Sequence, residues 1–304
     1  MEAFMIAALV AALFFTFSSF LDKYILSHKL QSADAYFILQ GIVSFLLYPI
    51  LLLFFSGISI PDADAWLFIA LSGITAALGL IIYYRLMGSA DYSAVSPLMQ
   101  ARILFTIPLS YFFLQEFYGF EVLAFMLAIF AGSVLITVDE KSSLRTIISK
   151  NRVLATGLLI CLIWAFANLL SKPVLQTLSA ENFIFWRNVF SFAVVIALLP
   201  VLLKGRARAV LAQDSRKALP YIILLLLVAF AGMQFMFYAM KYSVSITESL
   251  LGIIGLIAVA LAFLLSRINP EIIAEKHSAK IYAIRALGAL LILVGIFNIL
   301  GAKI

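Results

Sequence analysis

Hydrophobic positions along this chain are gathered into long blocks separated by short polar segments. Ten blocks reach the roughly 20 mostly apolar residues that a helix needs to cross a hydrocarbon core. They fall near 3–21, 35–55, 65–86, 94–113, 119–138, 153–171, 182–203, 218–240, 246–266 and 281–300. One of the few strongly polar segments, Asp139 to Arg152, divides the 304 residues almost at the centre, with five blocks on each side. The pattern predicts an all-α polytopic membrane protein with ten transmembrane helices: a first five-span unit at 1–138, a central cytoplasmic loop at 139–152 and a second five-span unit at 153–304.

The two halves read as one unit written twice. A shift of 153 brings Ala76, Gly79, Met87, Ser96 and Leu98 onto Ala229, Gly232, Met240, Ser249 and Leu251. A shift of 149 brings Leu9, Leu13, Phe17, Lys23 and Leu26 onto Leu158, Leu162, Phe166, Lys172 and Leu175, and one of 156 brings Gly132, Leu135 and Ile136 onto Gly288, Leu291 and Ile292. Shifts that drift by a few residues are what loop insertions in a duplicated unit produce. An odd number of spans per unit makes the second enter from the opposite side, so the expected arrangement is two inverted five-helix repeats with a site near the midplane.

Composition excludes a soluble globule. Hydrophobic residues make up 65%, charged residues 12%, and mean hydropathy is +1.14, which leaves too little polar surface for water. One cysteine and two histidines offer neither a disulfide framework nor a metal cluster, so no cofactor or metal is expected. The net charge of +6 does not point to nucleic acid. Fifteen of the 21 Lys and Arg residues fall in segments after odd-numbered spans. By the positive-inside rule, both termini are expected on the extracytoplasmic side of a cytoplasmic (inner) membrane.

Polar residues inside the blocks mark candidate chemistry, because an amide or charge facing lipid is costly. The fourth span combines Ser96-Pro97, Gln100, Arg102 and Pro108. Trp164, Asn168, Ser171 and Lys172 share one helical face, and Phe15, Ser19, Asp22 and Lys23 hold the same places in the first half. Gln234, Phe237, Tyr238 and Lys241 share another face. All acidic residues read as loop or helix-end residues, whereas Arg102, Arg187 and Arg285 lie within spans. Arg285 is close enough to the cytoplasmic end to snorkel. Arg102, the deepest, has no carboxylate to pair with on this reading, and Gln40, Gln100 or freed carbonyls are the alternatives that could satisfy it structurally.

The order of elements, the face around Trp164, Arg187 early in its span, and the segments Ser93-Ala-Val-Ser-Pro-Leu, Phe113-Leu-Gln-Glu116 and Ala131-Gly-Ser-Val-Leu-Ile136 resemble an EamA-type member of the drug/metabolite transporter superfamily. The chain departs from that pattern at Ala101-Arg-Ile-Leu, where the family usually has a proline, and at Asn269, where Glu116 would recur. The resemblance implies transport of a small molecule by one self-sufficient chain, with export favoured.

The expected substrate site comprises Tyr83, Gln100, Arg102, Trp164, Asn168, Arg187, Gln234 and Tyr238, a positive cavity suited to an amino acid or related carboxylate. Span 1 has no carboxylate between Glu2 and Asp22, so transport without an obligatory proton gradient is expected. No intramembrane protease motif is present, so an enzyme is not expected. The alternative is a non-transporting subunit of a larger membrane complex.

Overall fold

The computed structural model describes residues 3–55, 57–115, 121–136, 138, 152–269 and 277–301. Glu116, most of the central polar segment, Pro270-Glu271 and the last residues lie outside them. All regular structure among the described residues is helical. In chain order the helices are α1 (Ala3–Tyr24), α2 (Ala33–Phe55), α3 (Ala65–Ser89), α4 (Tyr92–Leu98), α5 (Ile103–Leu114), α6 (Glu121–Ile136), α7 (Arg152–Leu169), α8 (Ser171–Val174), α9 (Ala180–Leu202), α10 (Gly205–Met240), α11 (Val244–Leu251), α12 (Ile253–Ile268) and α13 (Ala279–Gly301).

Among the described residues, nine helical segments are long and apolar enough to span a membrane, and the chain is a multi-pass membrane protein. The fifth predicted block is described over α6, 16 residues, and Val138; its other positions lie outside the described residues.

The helices differ from the hydropathy reading at four places. The first span does not stop at 21: α1 continues through a π-helical turn, Ile25–Lys29, which carries Asp22 and Lys23 inside the fold, both buried. The basic segment Arg206 to Lys217 is not a loop. It is the amphipathic first part of α10, a 36-residue helix. Two spans are broken. A 3₁₀ turn, Met99–Arg102, separates α4 from α5, and Gly252 separates α11 from α12. The breaks follow Leu98 and Leu251, which the 153-residue shift superposes.

Packing repeats the same correspondence between the halves. α6 and α13 run antiparallel and cross at Gly132 and Gly288. A side chain added at Gly132 would meet the Gly288 carbonyl and Ile292; one added at Gly288 would meet the Gly132 carbonyl and Ile136. Gly79 on α3 packs under Trp164 and Ile163, and Gly232 on α10 packs under Phe15 and Phe14. Each contact is the other with the halves exchanged. Small residues permit such close backbone approach, which carries much of helix association where lipid supplies no hydrophobic drive.

Candidate substrate cavity

A cavity of about 290 Å³ lies between the halves. Six predicted site residues, Tyr83, Gln100, Arg102, Trp164, Asn168 and Arg187, line it. Gln234 and Tyr238 do not. They sit on the other side of α10, along a separate groove with Ile6, Val10, Leu178 and Lys241, and Tyr238 is exposed there against Tyr242. Helical spacing establishes that these two share a face but not which neighbour that face meets.

The breaks in the fourth and ninth spans bring a guanidinium and a carboxylate together. Arg102, at the end of the 3₁₀ turn, donates from Nε to Glu248 Oε2 at 2.7 Å, and its Nη2 lies 2.6 Å from the same oxygen. Asn168 Nδ2 donates to Glu248 Oε1 at 2.8 Å. Arg102 therefore has the deep carboxylate partner that the sequence reading denied it. Glu248 stands two positions inside an apolar block and reads as a helix end, yet its side chain is 1% exposed. The signal available was a lone acid in one broken span facing a lone base at the break of the other.

Arg187 on α9 is differently placed. Its Nη2 donates to Asn168 Oδ1 at a long 3.4 Å, and the guanidinium lies over Phe183 and Phe237, 6.0 and 5.3 Å from their ring centroids. Its buried Nε has no hydrogen-bond partner among the described residues. Gln100, which donates to the Ser96 carbonyl at 3.2 Å, also leaves a buried Oε1 without a partner among the described residues.

The sequence reading missed Asp22 and Tyr36. Asp22 lines the cavity; Tyr36 donates its hydroxyl to one carboxylate oxygen at 2.5 Å and Tyr83 to the other at 3.4 Å. Tyr83 also packs against Trp164 with centroids 5.2 Å apart, and Trp164 Nε1 donates to the Ala76 carbonyl at 3.4 Å. Next to Asp22, the Lys23 ammonium donates to the carbonyls of Met87 and Ala90 at 3.1 and 2.8 Å, the end of α3 where a cation is favoured.

Arg285 does not snorkel. It is fully buried and donates to Ser93 and, at 2.8 Å, to Asp91, which also faces His277 at 2.8 Å. Burial pushes the Asp91 carboxyl up, but the Arg285 charge and hydrogen bond, with His277, bring it below its ordinary value of 3.8. This cluster ties the turn between α3 and α4 to α13, away from the cavity. Among the described residues no group of His, Cys, Asp and Glu is arranged to hold a metal ion.

Among curated proteins no sequence matches this chain. A solved structure, described only as "Crystal structure of protein", is 13% identical and aligns with a TM-score of 0.56 over 96% of this chain and 97% of its own. That likeness is one of fold. Residues 3–138 match the model of the EamA-like transporter family. Over these residues, the first half, the chain is similar to the EamA-like transporter family, within the drug/metabolite transporter superfamily.

Proposed function

We propose that this protein is a secondary transporter, an exporter or facilitator, of a small amphipathic carboxylate such as an amino acid or a related metabolite. It would work by alternating access of two inverted repeats around the cavity. The observation that carries the reading is Arg187. Arg102 is neutralised by Glu248, whereas Arg187 borders the cavity with one long hydrogen bond and an Nε without a partner among the described residues. A carboxylate could take two parallel hydrogen bonds from this guanidinium, in a setting whose low-dielectric walls strengthen the attraction. Trp164, Tyr83, Phe37 and Phe15 offer stacking surface for an apolar body. The mirrored crossings at Gly132 with Gly288, and at Gly79 with Gly232, support an inverted pair of repeats. The Lys and Arg distribution supports an inner-membrane orientation with both termini outside.

The test is transport by the purified chain in proteoliposomes, with a panel of amino acids, other carboxylates and permanent organic cations. Movement of carboxylates that is reduced in Arg187→Gln is the expected outcome. Movement of permanent cations alone would overturn the substrate class. No movement of any small molecule, with stable association to a second membrane protein, would favour a subunit role instead.

A further inference from the structure

The cavity has a second pole. Of its acidic and basic lining residues, Arg102 is satisfied by Glu248, which leaves Arg187 and Asp22. Asp22 is ion-paired with no described residue, and its hydrogen bonds come from two neutral phenols. Each carboxylate oxygen accepts one hydroxyl and keeps a second lone pair for another donor. Around it stand Tyr36, Tyr83 and Tyr84, with Trp164 behind. Tyr36 and Tyr84 have centroids 4.4 Å apart, Tyr83 and Tyr84 5.6 Å. A buried carboxylate set among aromatic faces attracts an ammonium both by charge and by the ring quadrupoles.

Helix α2 measures the distance between the poles. Its Tyr36 touches Asp22, and its Ser44 donates to Asn188 at 3.0 Å, the residue next to Arg187. Eight residues separate those two levels, about 12 Å along the helix. The Arg187 guanidinium leans further off, over Phe183 one turn earlier on α9. That turn lies away from Tyr36, because α9 runs antiparallel to α2: Asn182 meets Ser59, whereas Val195 meets Gly41. An α-amino acid holds its two charges only about 3 Å apart, roughly two covalent bonds, and reaches one pole at a time.

We infer that the cavity selects an extended zwitterion, with Arg187 taking a carboxylate and Asp22 an ammonium separated from it by a flexible chain. The inference rests on the carboxylate reading above and deepens it. Three probes separate the two: octanoate, which has only the acid; 2-aminooctanoate, with both charges at one end; and its isomer 8-aminooctanoate, with one at each end. Binding to the purified full chain in nanodiscs is measured by calorimetry.

The expected ranking has 8-aminooctanoate about tenfold or more tighter than either other probe. Asp22→Asn should remove that advantage without weakening octanoate, since the lost charge repels an anion. The ranking on the unaltered protein needs no variant, so it decides the matter even if Asp22→Asn does not fold. Octanoate binding that depends on Arg187, with 8-aminooctanoate no tighter, would overturn the inference and leave the carboxylate reading standing. Tighter binding of 2-aminooctanoate would place both charges at one pole and would also overturn it, as would Asp22→Asn abolishing a response to a pH gradient while the ranking persists. Failure of all three probes would remove both readings.

Discussion

The two halves of the chain share their backbone devices and differ in the charges placed on them. Both carry a small residue under an aromatic one, Gly79 beneath Trp164 and Gly232 beneath Phe15, and both break a span after a matched leucine, Leu98 or Leu251. Side chains at corresponding positions diverge. At the established shifts, Asp22 corresponds to Ser171, Arg102 to Gly255 and Glu248 to Val95. Asp22, Arg102 and the Glu248 partner of Arg102 therefore each have a neutral counterpart in the other half. The lesson is a division of labour: what the halves share builds the frame, and what they do not share gives the cavity its chemistry.

That comparison is broken most severely at the Arg102–Glu248 pair, which joins one half to the other. Removing one partner strands a buried charge, a change that costs about 3–5 kcal/mol. Arg102→Gln or Glu248→Gln alone should lower the unfolding temperature of the solubilised protein markedly, and the double variant should recover much of the loss. Arg102→Gln is thus expected to weaken carboxylate and amide ligands alike. Selective loss of the carboxylate, with thermal stability unchanged, would return Arg102 to the substrate site.

The shared frame is tested at the α6–α13 crossing. Gly132→Leu and Gly288→Leu each push a side chain into the opposing backbone and should destabilise by about 1–3 kcal/mol, to similar extents because the contacts mirror one another. A large effect at one glycine and none at the other, by thermal melting, would contradict the correspondence. Asn168 bridges the charged groups, donating to Glu248 and accepting from Arg187. Asn168→Ala should cost about 1–3 kcal/mol, because it leaves the Glu248 carboxylate short of a donor.

The smallest effect concerns pH at Asp91. Its carboxyl titrates lower in the fold than its ordinary value of 3.8. Its stabilising contribution is therefore complete above that value and is lost as pH falls through the lowered one. A stability difference between the unaltered protein and Asp91→Asn should accordingly be present at neutral pH and shrink in strong acid. A difference that grows on acidification would have the wrong sign.

Most of the frame was legible because hydrophobic blocks report span length directly, and because the paired glycines at 79 and 232, and at 132 and 288, survive any small error in register. The cavity was legible where a polar residue lay inside a block, as with Gln100 and Arg187, or shared a polar face with others, as with Asn168. It was illegible at block edges. Glu248 and Asp22 look like helix-end residues until the broken span and the π-helical turn carry them inward. Arg285 lies where an arginine could reach the interface, but its bonds to Asp91, Ser93 and the Val138 carbonyl hold it inside. Gln234 and Tyr238 failed for a different reason, since periodicity groups residues into a face without saying which side of α10 meets the other half.

Arg187 is the cationic pole that would take the ligand's carboxylate, and one binding measurement addresses it. Octanoate and octanamide differ in charge but little in shape. Their affinities for the unaltered protein and for Arg187→Gln give a cycle in which only the charge-assisted contact changes. Losing that contact costs about 1.5–3 kcal/mol, so octanoate should weaken roughly ten- to a hundredfold while octanamide stays within about twofold, a few tenths of a kcal/mol. Equal losses for the two ligands in a folded variant would mean that Arg187 holds the helices together rather than the substrate.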